Sequence, residues 1–184
     1  MQLYCWSYVE PFLGVPVYRP QFLAAPDHIG EEDRARLRAL GGQRLVRSWA
    51  VWAEWTVWER NGRVRRKESG WLQDGPLILE FETARLELAA WKTDTCLSWD
   101  TIDIAQGVHW GGEDDDFRTW WRADALEPLT ALRDPLDEVL VVDWYDALGF
   151  GFRAGTALAL VFNAGDELGL SDEPDSPHVR LTPI

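Results

Sequence analysis

Four tryptophans spaced three apart, Trp49, Trp52, Trp55 and Trp58, lie in the segment from Arg44 to Glu59 and leave it two regular conformations. In a helix they would form a slowly drifting stripe; in a strand they would alternate between faces, because side chains repeat every two residues there. The odd positions Trp49, Val51, Ala53, Trp55 and Val57 are all apolar, while the even positions Ala50, Trp52, Glu54, Thr56 and Trp58 are mixed. That pattern predicts a strand with a buried odd face and an amphipathic even face. Asn61-Gly62 follows, a dipeptide that accepts the positive φ angles of a tight hairpin turn, so Arg63 to Lys67 is the expected return strand. Trp52 and Trp58 would stand about 20 Å apart on the exposed side at ~3.4 Å per residue. Such platforms stack on sugars or anchor a protein interface; a second layer, such as the N-terminal segment, would instead cover them.

Around this hairpin the chain punctuates itself clearly. Pro11, Pro16, Pro20 and Pro26 exclude a long helix from residues 1–29 and leave short strands near Leu3 to Val9 and Val15 to Tyr18. Glu31-Glu32-Asp33 opens a helix that runs through Leu40 and stops at Gly41-Gly42, with arginines in its later part as the helix dipole favours. Asp74-Gly75-Pro76 turns into a strand from Leu77 to Phe81, and Thr83-Ala84 turns again so that Leu86, Leu88 and Ala90 form an inner face.

This second hairpin has an echo later in the chain. Phe81, Leu86 and Leu88 match Phe152, Leu158 and Leu160 with one residue inserted, and both stretches continue to an aspartate, Asp94 or Asp166, and to Leu-Ser at 97–98 and 170–171. The chain therefore reads as one domain over 1–184, α+β and mainly β. Its antiparallel sheets come from two related helix-strand-hairpin units, roughly 33–98 and 125–171, the first carrying the Trp-rich hairpin as an insertion. Residues 172–184, with three prolines, read as a flexible surface tail.

Charge is divided unevenly. Residues 1–92 hold 12 acidic and 13 basic residues; residues 93–184 hold 19 and 5, which places the whole net charge of -13 in the second half. A field of that sign repels nucleic acid and anionic membrane and steers basic partners into contact; it also simply keeps a protein soluble. The acids peak at Glu113, Asp114, Asp115 and Asp116, in a glycine-led loop followed by Trp120. The loop lacks the alternating spacing that aims carboxylates at one calcium ion. It reads as a solvated connection, a partner-facing charge cluster or, in third place, a cation site.

Motifs for chemistry are sparse. Cys5 and Cys96 are unpaired in sequence, and His28, His109 and His178 have no metal-ligand spacing, so neither a metal nor another cofactor is expected. No phosphate-cradling glycine loop or nucleophile elbow occurs. A Cys96/His109 pair, or a carboxylate pair drawn from Glu54, Asp100, Asp103, Asp143 and Asp166, would be needed for catalysis, and sequence spacing does not test either. No apolar run spans a membrane and no basic leader opens the chain, so a cytoplasmic protein is expected.

Phe152-x-x-Gly-x-x-Leu-x-Leu160, followed by Phe162-Asn-Ala-Gly-Asp-Glu-Leu-Gly-Leu-Ser171, resembles a pattern of small bacterial proteins that include immunity proteins of toxin systems. The resemblance covers residues 125–171 and leaves the Trp-rich hairpin unmatched. It implies a non-catalytic protein that binds and blocks a toxin, a role that suits an acidic surface when the toxin domain is basic. Glu113, Asp114, Asp115, Asp116, Trp120, Trp52 and Trp58 are then the partner-binding candidates. The alternative from the same residues is a carbohydrate-binding or carbohydrate-acting protein that uses tryptophan platforms and carboxylates.

Overall fold

A computed structural model describes residues 12–16, 18–58, 65–108, 116–144, 147–174 and 178–184, with the side chains of residues 58 and 65 outside that description. Its elements, in order, are β1 (Gln21–Leu23), α1 (Glu31–Arg38), β2 (Leu45–Trp58), β3 (Arg65–Trp71), β4 (Leu77–Phe81), β5 (Arg85–Trp91), β6 (Asp94–Trp99), β7 (Phe117–Ala123), β8 (Glu138–Trp144), β9 (Ala147–Ala154), β10 (Ala157–Asn163), β11 (Leu168–Ser171) and β12 (Val179–Pro183). The protein is mainly β, with two antiparallel sheets and one α-helix among the described residues.

The first sheet runs β1-β6-β5-β4-β2, and the long β2 carries more than one neighbour on an edge. Residues 45–50 pair with β4 and residues 52–58 with β3, while residues 49–55 pair with β7. Because the β7 register overlaps both others, β3 and β4 share one edge of β2 and β7 takes the opposite edge. The second sheet runs β11-β10-β9-β8-β12. Residues 179–183, expected as part of a loose tail, are its edge strand, paired to β8 from Val179↔Trp144 to Pro183↔Leu140; alternating Val179 and Leu181 supply the strand pattern that the prolines disguise.

The main core lies between the sheets. Leu77, Leu79, Phe81, Leu86, Leu88, Ala90 and Leu97 from the first meet Val139, Val141, Phe150, Phe152, Ala159 and Val161 from the second, closed at one end by Leu37 and Leu40 of the helical segment. Polar stitches cross the same space. The Thr95 hydroxyl donates to the Leu148 carbonyl at 2.5 Å, and Asn163 Nδ2 donates to the carbonyls of Lys92 and Asp94 at 2.9 and 2.8 Å. Buried polar groups that are satisfied in this way cost little and fix the register of the two layers.

Three expectations are corrected here. The helix ends at Arg38 rather than Leu40, and its Asp33 is buried, accepting a 2.9 Å bond from Trp99 Nε1 instead of serving only the helix dipole. Val15 makes only an isolated bridge to Phe12, Pro16 is in a turn and Tyr18 is outside any strand, while Val17 and the stretch near Leu3 to Val9 lie outside the described residues. The third concerns the matched hairpins. Leu86 and Leu88 point into the inter-sheet core, but on β10 the residues that do so are Ala159 and Val161. Leu160, though buried, lines the other side of its sheet with Val142, Trp144 and Phe162. The inserted residue is the cause, since a shift of one in a period of two exchanges the faces.

A second, smaller cluster covers the outer side of the first sheet. Leu13, Val15 and Tyr18 from the N-terminal segment, with Ile102 and Val108 from the β6–β7 connection, pack on Val51, Ile78, Ala89 and Cys96. Both sides of the β2 root are therefore covered, the odd side by this layer and the even side, through Ala50 and Trp52, by the inter-sheet core.

Candidate binding face

Beyond the sandwich, β3, β2 and β7 continue as a three-stranded ribbon that concentrates the tryptophans. Seven of the 12 in the chain stand on these strands, at positions 49, 52, 55, 58, 71, 120 and 121. Register decides how they meet. Trp52 is opposite Trp71 on one side and opposite Trp120 on the other. Directly opposed residues in antiparallel pairs share a face, so Trp71, Trp52 and Trp120 form a row across three strands. At about 4.8 Å per strand the row spans about 10 Å.

This even face is the open one. Trp120 is 39% exposed, and Arg118, Arg122, Lys67 and Ser69 on the same face are exposed as well, while Trp52 and Trp71 are half-buried at its base. The odd side is closed more tightly: Trp49 and Trp121 pack on the outer cluster, and Trp55 lies over Gly70, where an added Cβ would sit 3.3 Å from its ring. The Arg122 guanidinium stands 4.2 Å from the centre of the Trp52 ring, a cation–π contact, and makes no ion pair among the described residues. Lys67, by contrast, is paired to Glu54 at 2.5 Å. The buried indole nitrogens of Trp52 and Trp71 have no hydrogen-bond partner among the described residues.

Of the residues singled out in the sequence, register brings Trp52 and Trp120 together. Trp58 ends β2 with its backbone paired to Arg65, and its side chain is outside the described residues. Asp116 anchors the end of the acidic loop at the same ribbon, its carbonyl accepting a 2.9 Å bond from Thr56 N–H. Glu113, Asp114 and Asp115, like the Asn61-Gly62 turn, lie outside the described residues. Trp71 and Arg122 were missed. Both depend on strand pairing between segments far apart in sequence, and only the alternation of Arg118, Trp120 and Arg122 hinted at a common face.

The candidates for chemistry are dispersed. Cys96 is buried in β6, and burial, with Asp94 adding to it, pushes its thiol up to about 12; His109 is outside the described residues. Glu54 is paired with Lys67, Asp100 with Arg36 at 3.6 Å, and Asp103 accepts from Ala105 N–H at 3.0 Å in a 3-10 turn. Asp143 sits within β8, and Asp166 occupies a turn at φ 70° between β10 and β11. Among the described residues no group of three or more His, Cys, Asp or Glu is placed to hold a metal ion, and no helix is long and apolar enough to cross a membrane.

The most enclosed carboxylate among the described residues is one the sequence analysis did not single out. Glu87, flanked by Leu86 and Leu88, points to the outer side of β5 and is fully buried. It accepts from the hydroxyls of Ser98 and Thr101, each at 2.5 Å, and from the amides of Thr101 and Ile102 at 2.8 and 2.7 Å, with Arg85 3.6 Å away. With every oxygen saturated by protein donors, it ties the chain after β6 to the sheet and has no lone pair left for a substrate. Comparison of the chain with protein-family models, with curated proteins and with solved structures finds no match.

Proposed function

We propose that the protein is a non-catalytic binding protein of the inhibitor or immunity class, which neutralises a bacterial toxin by covering a basic domain of it. The observation that supports this best is the row Trp71, Trp52 and Trp120, which leads from the margin of the inter-sheet core out to exposed Trp120, with Asp116, the last residue of the acidic loop, held at the same ribbon by the Thr56–Asp116 bond. Tryptophan and arginine dominate the hot spots of protein interfaces, and flanking charge sets the association rate. A sugar platform needs an open indole face, and Arg122 lies over that of Trp52, which favours a protein partner over the carbohydrate alternative. The reading places the protein in the cytoplasm, without a role in nucleic-acid, membrane or cofactor binding. The strand orders β6-β5-β4-β2 and β11-β10-β9-β8 run parallel in sequence logic and support two related units, with β3 and the β2 tip as the Trp-rich enlargement of the first.

The test is association with the product of an adjacent toxin-like gene. The wild-type rate should fall as salt rises, because the Debye length shrinks from about 30 Å at 0.01 M to about 10 Å at 0.1 M. The joint variant Glu113→Gln, Asp114→Asn, Asp115→Asn, Asp116→Asn should associate slowly and with a shallower salt dependence. An unchanged rate and salt dependence would assign the acidity to solubility alone.

A further inference from the structure

The ribbon that carries the tryptophan row has the opposite charge to the rest of the chain. Strands β2, β3 and β7 hold six basic residues, Arg47, Arg65, Arg66, Lys67, Arg118 and Arg122, against Glu54 and Glu68. That is a net of +4 within a chain of -13, which leaves -17 elsewhere. Part of this charge is answered locally, by the Lys67–Glu54 and Arg66–Glu68 pairs. Arg122 is different: it is exposed, held against the Trp52 ring at 4.2 Å, and has no carboxylate partner among the described residues.

We infer that Trp120, Trp52 and Arg122 form a docking subsite for an acidic protein segment, one that presents a carboxylate beside an apolar side chain. A guanidinium held over an aromatic ring keeps N–H groups free to form a fork, the geometry a carboxylate accepts bidentately. The apolar neighbour of that carboxylate covers Trp120, which is exposed directly across the register from Trp52. Charge complementarity selects the occupant. A nucleic-acid strand or an anionic bilayer brings many charges to a chain that carries -17 outside the ribbon, whereas a protein segment brings one or two anions to the face that holds Lys67, Arg118 and Arg122. A second copy of the chain is disfavoured on the same ground. The inference rests on the reading that this face binds a protein, and not on that protein being a toxin. It adds to that reading an anionic contact which a wholly basic partner surface would lack.

The experiment follows the tryptophan indole N–H signals of the 15N-labelled full chain during titration with the peptide acetyl-Gly-Glu-Leu-Gly-amide, its Lys-for-Glu analogue and its Gln-for-Glu analogue. The acidic peptide should shift the Trp120 and Trp52 signals saturably and bind about tenfold more tightly than the lysine analogue, weakening with salt. Arg122→Gln should abolish the preference, and Trp120→Ala should remove binding while the remaining indole signals stay in place, which shows the fold intact. Equal or tighter binding of the lysine peptide, or a preference that survives Arg122→Gln, overturns the proposal. So does tighter binding of oligothymidylate or phosphatidylglycerol vesicles at the same signals, or concentration-dependent shifts without peptide, which would assign the face to self-association. Peptide binding with no association of the adjacent gene product would remove the toxin reading alone.

Discussion

Phe81 and Phe152 meet across the sandwich with ring centroids 6.0 Å apart and planes inclined at 39°. Phe81 closes β4 at the first hairpin turn, Phe152 stands near the end of β9 before the second, and both are buried in the inter-sheet core. Truncating either to Ala should cost about 3–5 kcal/mol. Because the rings touch, the double variant should cost less than the two single changes together, by about 0.5–1.5 kcal/mol. Urea unfolding of the three variants checks this, and strictly additive losses would show that the two hairpins are not packed ring to ring.

That contact also shows where the sequence was legible. Period-two alternation located β2, β4 and β5, and the phenylalanine match identified two core residues correctly. It failed one residue further on, at Leu158 and Leu160, because an insertion in a hairpin turn changes nothing in composition and yet exchanges the two faces of the strand. The candidate face was half legible for a related reason. Trp52 and Trp120 are distinguishable by residue type, but that they are opposed, and that Trp71 and Arg122 join them, depends on long-range pairing that local pattern does not encode.

Glu87→Ala should be among the most damaging single changes in the chain. It would leave two hydroxyls and two amides without their common acceptor and the Arg85 guanidinium, 3.6 Å away, without its counter-charge, at a cost of about 3–5 kcal/mol. Glu87→Gln keeps the shape but replaces one acceptor oxygen by a donor, so its loss should be smaller. Chemical unfolding distinguishes the two, and a near-neutral alanine variant would mean that water already enters the site.

Cys96 should behave as an inert thiol. With its pKa pushed up to about 12, chiefly by burial, the thiolate fraction at pH 8 is on the order of one in ten thousand. In a Cys5→Ser variant, reaction with an aromatic disulfide reagent should be slow in the native protein and rapid in denaturant. Native reactivity equal to that of a free cysteine would show that β6 opens readily at its centre.

Asp74 and Asp166 provide a pH signature at the far turns of the two sheets. Partial burial, with the Asp166 charge as the second cause, raises the Asp74 carboxyl above its usual range. A raised acid pKa means that the folded state holds the proton more tightly than the unfolded chain. Asp74 therefore adds no penalty below the unfolded pKa, and costs stability progressively as pH rises from there through the folded value. Asp74→Asn should remove that component, so the variant gains on the wild type as pH rises from about 3 to about 7. Asp166→Asn is the informative partner, because Asn tolerates the left-handed backbone found there at φ 70°. It should lower the Asp74 midpoint without restoring the ordinary value, since burial is the larger cause. Carboxyl 13C titration reads the midpoint directly. A midpoint unmoved by Asp166→Asn would leave burial as the sole cause, and one restored fully would reverse the order of the two.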